Sequence, residues 1–358
     1  MEKVSYLILA INPGSTSTKV ALYEDDRCKA EKTVRHKAGE LDRFSIVIEQ
    51  KEIRMKYVEE FLAENGVDPA DLDAVVGRGG IIRPIDSGTY LINEKMLRDL
   101  SGKEANRHPS ALGGIIAAEI GKKYGIPAYT VDPVVVDEME TVAKLSGIPG
   151  IERRSVFHAL NAKAVTRSCA ESLGMKYEDG RFIVAHMGGG ISVGAHRYGR
   201  VIDVNDALSG EGPFSPERSG GVPLAQLVEM CYSGHYTKEE MLALIMRRGG
   251  MLAYLGTNNL QEVEDMIRKG DEFAALVIDS MAYQVAKEIG AMSAVLEGRV
   301  NAIILTGGLA YSTRFTGAIR QRVDQIAPVL TRPGEDEMLA LAEGVVRVLK
   351  GVEKAKEY

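Results

Sequence analysis

Apolar residues along this chain fall in short unbroken runs that end on glycine, and the runs come twice. Leu7 to Ile11 is followed by Asn12-Pro13-Gly14-Ser15-Thr16-Ser17-Thr18-Lys19 and then by Val20-Ala21-Leu22-Tyr23. Phe182 to Ala185 runs into His186-Met187-Gly188-Gly189-Gly190-Ile191-Ser192 and then Val193-Gly194-Ala195, about 175 positions later. Such runs, bounded by Gly, Ser and Thr, predict buried strands joined by tight turns. A second pair follows in the same order: Asp73-Ala74-Val75-Val76-Gly77-Arg78-Gly79-Gly80 and Asn301-Ala302-Ile303-Ile304-Leu305-Thr306-Gly307-Gly308. Two pairs in register order predict a duplicated chain.

Helical spacing of apolar residues marks Glu49 to Glu64, Ser110 to Tyr124 and Ala159 to Leu173, and later Leu224 to Cys231, Lys238 to Met246, Asp271 to Leu296 and Met338 to Lys350. The turn signal Arg107-His108-Pro109 precedes the second of these. Strands alternating with helices predict α/β layers. Prolines 133 and 149 with glycines 147 and 150 place the hinge between Val131 and Arg154, which divides the chain into domains at 1–150 and 151–337. A duplicated α/β protein is expected to bind its ligand in the cleft between the copies.

Charge and composition narrow the chemistry. The 358 residues carry a net charge of −6 and no long basic run, so neither a nucleic-acid backbone nor an anionic membrane is an expected partner. An anionic substrate would need locally placed arginines. Cys28, Cys169 and Cys231 form neither a CxxC nor a Cys/His zinc pattern, which fits a reducing compartment. The opening Met1-Glu2-Lys3-Val4-Ser5 lacks a signal-peptide pattern and no apolar run reaches membrane-spanning length, so a cytoplasmic location is expected.

A turn built of Gly, Ser and Thr can present N–H and hydroxyl groups to polyphosphate oxygens, or can simply be a tight hairpin that needs glycine. It is not a Walker A loop, and no G-x-G-x-x-G follows a strand. Arg78 and Arg218 sit among glycines, in Gly77-Arg78-Gly79-Gly80 and Glu217-Arg218-Ser219-Gly220-Gly221, where a guanidinium can reach a carboxylate or phosphoryl group; solvated surface arginines are the plainer reading. Asp132 follows an apolar run and precedes Pro133, a position for either a ligand group or a turn cap. His158 opens a helix and His186 opens the glycine turn, so either could meet a phosphate or serve the core.

Taken together, Asn12 to Lys19, His186-Met187-Gly188-Gly189-Gly190 and Arg218-Ser219-Gly220 resemble the signatures of the acetate and butyrate kinase family, within the actin, sugar-kinase and heat-shock ATPase superfamily. Matching segments run from Asn12 to Glu337. The loop from Asp203 through Arg218 is similar to the butyrate-specific members. Departures from the acetate kinase pattern are Gly77 near an expected histidine, Gly189 in place of an asparagine, Gly308-Leu309-Ala310-Tyr311 in place of G-I-G-E-N, and Pro133-Val134-Val135-Val136 in place of T-A-F-H.

The resemblance implies two duplicated ribonuclease-H-like α/β domains of the actin-like ATPase fold with an interdomain cleft, and a C-terminal helix from about 338 to 358 that returns to the first domain. It implies reversible, Mg²⁺-dependent transfer of the ATP γ-phosphoryl group to butyrate, with acetate, propionate or a branched acid such as isobutyrate as alternatives. By the same resemblance Arg78 and Arg218 clamp the carboxylate and the transferring phosphoryl group, Asp132 places the acid or Mg²⁺, and His158 stabilises the transition state. Asn12, Ser15 and Lys19 with His186, Gly188 and Gly189 hold the polyphosphate, and Gly307 and Gly308 border the adenosine. Glu337 resembles a family glutamate linked to Mg²⁺, with Glu335 as the other possible register, and a homodimer or larger homo-oligomer is implied. A sugar kinase, or an actin-like or heat-shock-like ATPase switch, are the rival readings; acid-independent ATP hydrolysis would mark the switch.

Overall fold

The computed structural model describes residues 5–37, 40–41, 44, 46–102 and 109–358; Met1 to Val4 and the turn residues Arg107 and His108 lie outside the described residues. The chain forms two compact units, one of Met1–Val136 with Asp336–Tyr358, the other of Asp137–Glu335. The division therefore falls at 136 and 335 rather than at 150 and 337. Side chains account for this: Glu138 Oε2 accepts from the Val201 N–H at 2.9 Å and meets Lys163 Nζ at 2.8 Å, and Asp137 pairs with Lys144 at 2.6 Å, so the segment after Val136 is bonded into the second unit.

In the first unit a six-stranded sheet runs β3-β2-β1-β4-β6-β5, from β1 (Leu7–Pro13), β2 (Ser17–Glu24), β3 (Arg27–Arg35), β4 (Ala74–Gly77), β5 (Thr89–Leu91) and β6 (Ala128–Val131). In the second, a five-stranded sheet runs β11-β10-β7-β8-β9, from β7 (Arg181–Met187), β8 (Ile191–Arg197), β9 (Arg200–Val204), β10 (Ala302–Gly307) and β11 (Val329–Pro333). The plan is the same in both. An antiparallel meander of three strands is extended, on the side of its first strand, by two parallel strands. β1 corresponds to β7, β2 to β8 and β4 to β10, the pairing the repeated runs predict, and β5 is an extra edge strand of the first sheet.

Strands buried on both faces read as continuous apolar runs. Ile8 to Ile11, Ala74 to Val76, Phe182 to Ala185 and Ala302 to Leu305 are all buried. Helices Lys51–Glu64, Ala111–Tyr124 and Glu337–Leu349 cover the first sheet, and Ala159–Ser172 and Glu272–Val295 the second. Glycines let two of them come close: a Cβ on Gly77 would lie 2.0 Å from the Gly113 carbonyl oxygen, and one on Gly344 would lie 2.6 Å from Val131 Cγ1. Among the described residues no helix is long and apolar enough to cross a membrane.

The second unit encloses an ionisable network. Lys163 is fully buried, paired with Glu138 and donating to the Gly199 carbonyl at 2.9 Å. His196 is buried beside it with Nδ1 2.8 Å from the Tyr177 hydroxyl. Burial, with the charges of Lys163 and Arg167, pushes the His196 pKa well below its ordinary value. The folded chain thus holds His196 neutral, so its contribution is complete above the ordinary histidine pKa of about 6.5 and is lost as pH falls below it, when the unfolded chain gains a proton that the fold refuses. The thermal midpoint should fall between pH 7.5 and 5, and His196→Gln should flatten that slope in a melting series; a parallel slope in the variant would assign the acid lability elsewhere.

Candidate functional site

In each unit the parallel strands deliver their C-terminal ends to one edge of the sheet, beside the turn that closes the first hairpin. This is where open α/β sheets carry ligands. In the first unit β1 ends at Asn12-Pro13, β4 at Gly77 just before Arg78, and β6 just before Asp132. Asn12 Nδ2 donates to Glu337 Oε2 at 2.7 Å, and Arg78 Nη1 donates to the same oxygen at 2.8 Å. Glu337 is buried at the first turn of the Glu337–Leu349 helix, where an anionic group is favoured by the helix dipole. Asn12, Arg78 and Glu337 are therefore one constellation, drawn from three distant stretches of chain.

Asp132 is buried and has a left-handed backbone (φ 39°). Its Oδ1 accepts from the Ser87 hydroxyl at 2.6 Å and the Gly88 N–H at 2.8 Å, so one oxygen serves to hold the 87–88 loop. Ser15 is exposed at the β1–β2 turn; Lys19, across from Asn12 in the ladder, lies 3.7 Å from Glu31.

In the second unit β7 brings His186 to the sheet edge, where it is fully buried with Nδ1 2.8 Å from Asn161 Oδ1 and Nε2 3.0 Å from Glu335 Oε1. His158, just before the Ala159–Ser172 helix, stacks on it with ring centroids 3.8 Å apart and planes 12° from parallel, its Nδ1 3.1 Å from Ser192 Oγ. Glu335 and Glu337, alternatives in the sequence, have separate partners: Glu335 meets His186, and Glu337 meets Arg78 and Asn12.

The turn Gly188–Gly190 and Arg218 are built around each other. A Cβ on Gly190 would sit 1.8 Å from Arg218 Nη1, so only glycine leaves room for the guanidinium. Nη1 donates to the Ala207 carbonyl, the Arg218 N–H donates to Ser215 Oγ at 3.1 Å, and that hydroxyl donates to the Gly189 carbonyl at 2.6 Å. The Arg218 Nε–H is buried without a hydrogen-bond partner among the described residues. Burial lowers its pKa, against the opposing pull of Glu217 and Asp206. A half-buried guanidinium with an unmet, buried donor can take an anion.

Gly307 ends β10 at φ 88°, its backbone against Met187, where a Cβ would lie 2.5 Å from the Met187 carbonyl oxygen; around Gly308 the space is open. Gly307 and Gly334 exchange N–H to carbonyl bonds of 3.2 and 3.1 Å. Asn161, Ser215 and Arg54 were not singled out by sequence reasoning. Arg54 alone left a signal, since it falls four residues before Val58 on the buried face of its helix.

Among the described residues no group of three or more His, Cys, Asp or Glu side chains could enclose a metal ion. A Mg²⁺ carried chiefly by phosphate and water needs only one or two carboxylates. Glu337, whose Oε2 takes both Arg78 and Asn12, fits that limited role.

Three solved structures share this fold. The acetate kinase of Porphyromonas gingivalis superposes with a TM-score of 0.80 at 20% identity, over 96% of this chain and 100% of that one. A propionate kinase from Francisella tularensis subsp. tularensis SCHU S4 gives 0.77 at 20%, over 95% and 98%, and the acetate kinase of Entamoeba histolytica 0.74 at 17%, over 94% and 98%. The duplicated actin-like ATPase architecture is thus the one the repeats and motifs imply. A sequence profile of the acetokinase family matches residues 142–325, just over half of the chain, and the chain therefore belongs to the acetokinase family of carboxylate kinases.

Proposed function

We propose that this acetokinase family member is a butyrate kinase, which transfers the γ-phosphoryl group of ATP to butyrate to give butyryl phosphate and ADP. The observation that carries the phosphoryl-transfer reading is Arg218, a guanidinium locked against the Gly188–Gly190 turn with a buried Nε–H that has no partner among the described residues. Arg78, held by Glu337, is assigned to the carboxylate of the acid. Asn12, Ser15, Lys19, His186, Gly188 and Gly189 are assigned to the polyphosphate and Gly307 and Gly308 to the adenosine. Asp132 is assigned to fixing the acid, through the loop it anchors.

The acid is already a carboxylate at neutral pH, so no general base is required. A carboxylate oxygen forms a bond to the γ-phosphorus as the bond to the β,γ-bridging oxygen breaks, and ADP departs with that electron pair. The protein's task is positioning and neutralisation of the charge spread over the equatorial oxygens. His158, its ring fixed by His186 and Ser192, and Arg218 are assigned to that charge. Mg²⁺, with Glu337 as the chain's contribution, would supply further neutralisation of the phosphates.

The choice of butyrate rests on the Asp203 to Arg218 loop and on the aliphatic residues near Gly79, the neighbour of Arg78. A Cβ on Gly79 would lie 2.9 Å from Pro133 Cβ, and Ile82 and Val135 belong to the adjoining apolar cluster. Aliphatic neighbours of this kind favour a longer acyl chain. The reading includes a cytoplasmic homo-oligomer, supported by the helix Leu224–Tyr232, none of whose residues is buried and whose Leu224, Val228 and Tyr232 face solvent.

A hydroxamate assay with ATP and Mg²⁺ across straight and branched acids of two to six carbons should peak at butyrate. A peak at acetate or propionate corrects the acid, and ATP turnover indifferent to every acid removes the function. Arg218→Ala should lower kcat about a thousandfold while the Kd for ATP moves little; equal turnover of mutant and parent would dismiss the assigned role. Gly190→Ala, which forces the guanidinium aside, should cost about a hundredfold in kcat with the circular dichroism unchanged. Full activity in that variant would mean that the position of Arg218 is immaterial.

A further inference from the structure

The first unit buries a charge that the assignments above do not use. Arg54 lies on the face of the Lys51–Glu64 helix that also buries Met55, Val58, Phe61 and Leu62, and its side chain is completely out of water. Among the described residues it makes five hydrogen bonds. Nε and Nη2 donate to Gln50 Oε1 at 3.2 and 2.9 Å, Nη1 to the Ser17 carbonyl at 3.0 Å and Thr18 Oγ1 at 2.8 Å, and Nη2 also to the Gly14 carbonyl at 3.0 Å. None of these partners is a carboxylate. Burial brings the guanidinium pKa down to about 10, which still leaves it charged at neutral pH.

Such a charge is costly to bury unless something compensates it. The arrangement of the turn says where compensation belongs. Gly14 and Ser17 turn their carbonyls inward to Arg54, and the Thr16 carbonyl accepts from the His36 N–H at 3.0 Å. Ser15 and Thr16 are exposed at the rim of the turn and carry hydroxyl and N–H groups there. His36 Nε2 contacts Thr18 Oγ1 at 2.9 Å, and burial together with the Arg54 charge lowers the His36 pKa, so Arg54 remains the cation behind the turn.

We infer that Arg54 is a positioning residue for polyphosphate: it turns the carbonyls of the Gly14–Ser17 turn inward and places a buried positive charge behind the donors that meet the anion. This rests on the reading that the Asn12 to Lys19 turn contacts the nucleotide's phosphates. Adenosine supplies the control, because it shares the nucleoside but lacks the anion.

Isothermal titration of the full chain with ATP and with adenosine tests the inference. Arg54→Met should raise the Kd for ATP about tenfold or more while the Kd for adenosine stays within about twofold, and Thr18→Val should shift ATP in the same direction by less. Loss of general structure would weaken both ligands together. Should Arg54→Met fail to fold, Thr18→Val decides. An unchanged ratio of ATP to adenosine affinity in these variants, with a changed ratio in Ser15→Ala, overturns the role of Arg54 alone. An unchanged ratio in Ser15→Ala as well removes the turn from the phosphate site, and the inference with it.

Discussion

A guanidinium wholly or partly taken out of water has to be matched by something, and this requirement shapes both units. Arg78 is matched by Glu337, which the chain delivers from the start of its last long helix. Arg54 has carbonyl and hydroxyl oxygens instead, which satisfy its hydrogen bonds and leave the net charge standing, while among the described residues Arg218 has the Ala207 carbonyl, an unmet Nε–H, and Glu217 and Asp206 pulling on its charge without a hydrogen bond. Oxygen dipoles hold a guanidinium in place without cancelling its field, whereas a carboxylate does both. The two kinds of arginine therefore suit different duties. On the proposed reading, Arg78 meets a singly charged acid, and Arg218 and Arg54 keep positive potential for a polyphosphate.

Glycine is the counterpart of those arginines. Gly190 is required because the Arg218 guanidinium fills the volume its Cβ would take, and Gly307 because its left-handed backbone presses on Met187. Gly77 is required by the backbone of Gly113 behind it. The near-repetition of glycine-ended strands in the two halves follows from a shared geometric demand: a strand end close to a ligand must also lie close to a neighbouring helix or strand.

Much of this could be read from the amino acids because the strands that matter are buried on both faces. Ile8 to Ile11 and Phe182 to Ala185 are continuous apolar runs, and turns between such runs are marked by glycine. β3 was not legible, since Arg27 to Arg35 is a solvated edge strand whose charges hide its period. The unit boundary was displaced because proline and glycine mark where a chain can bend, while the boundary depends on which side chains bond across space, as Glu138 does with Lys163. Asn161 and Ser215 were invisible for a related reason: each acts through a partner, His186 or the Gly189 carbonyl, that only folding brings near. Arg54 was passed over because an arginine in a helix is ordinarily a surface residue.

Neutralising charge and selecting an acid are different physical tasks, and the physics of each sets how sharply it can be expressed. Removing a group that meets developing charge costs two to three orders of magnitude. Extending an aliphatic wall by one methylene contributes about 0.8 kcal/mol, and a hydrophobic pocket discriminates neighbouring acids by about tenfold to two-hundredfold. Ile82 and Val135 belong to the apolar core of the first unit, whereas the Arg218 turn belongs to the second. On these magnitudes an exchange of aliphatic side chains shifts the preferred acid far less than the loss of a charge-meeting group lowers the rate, which is why membership of the family constrains the reaction more tightly than it constrains the acid.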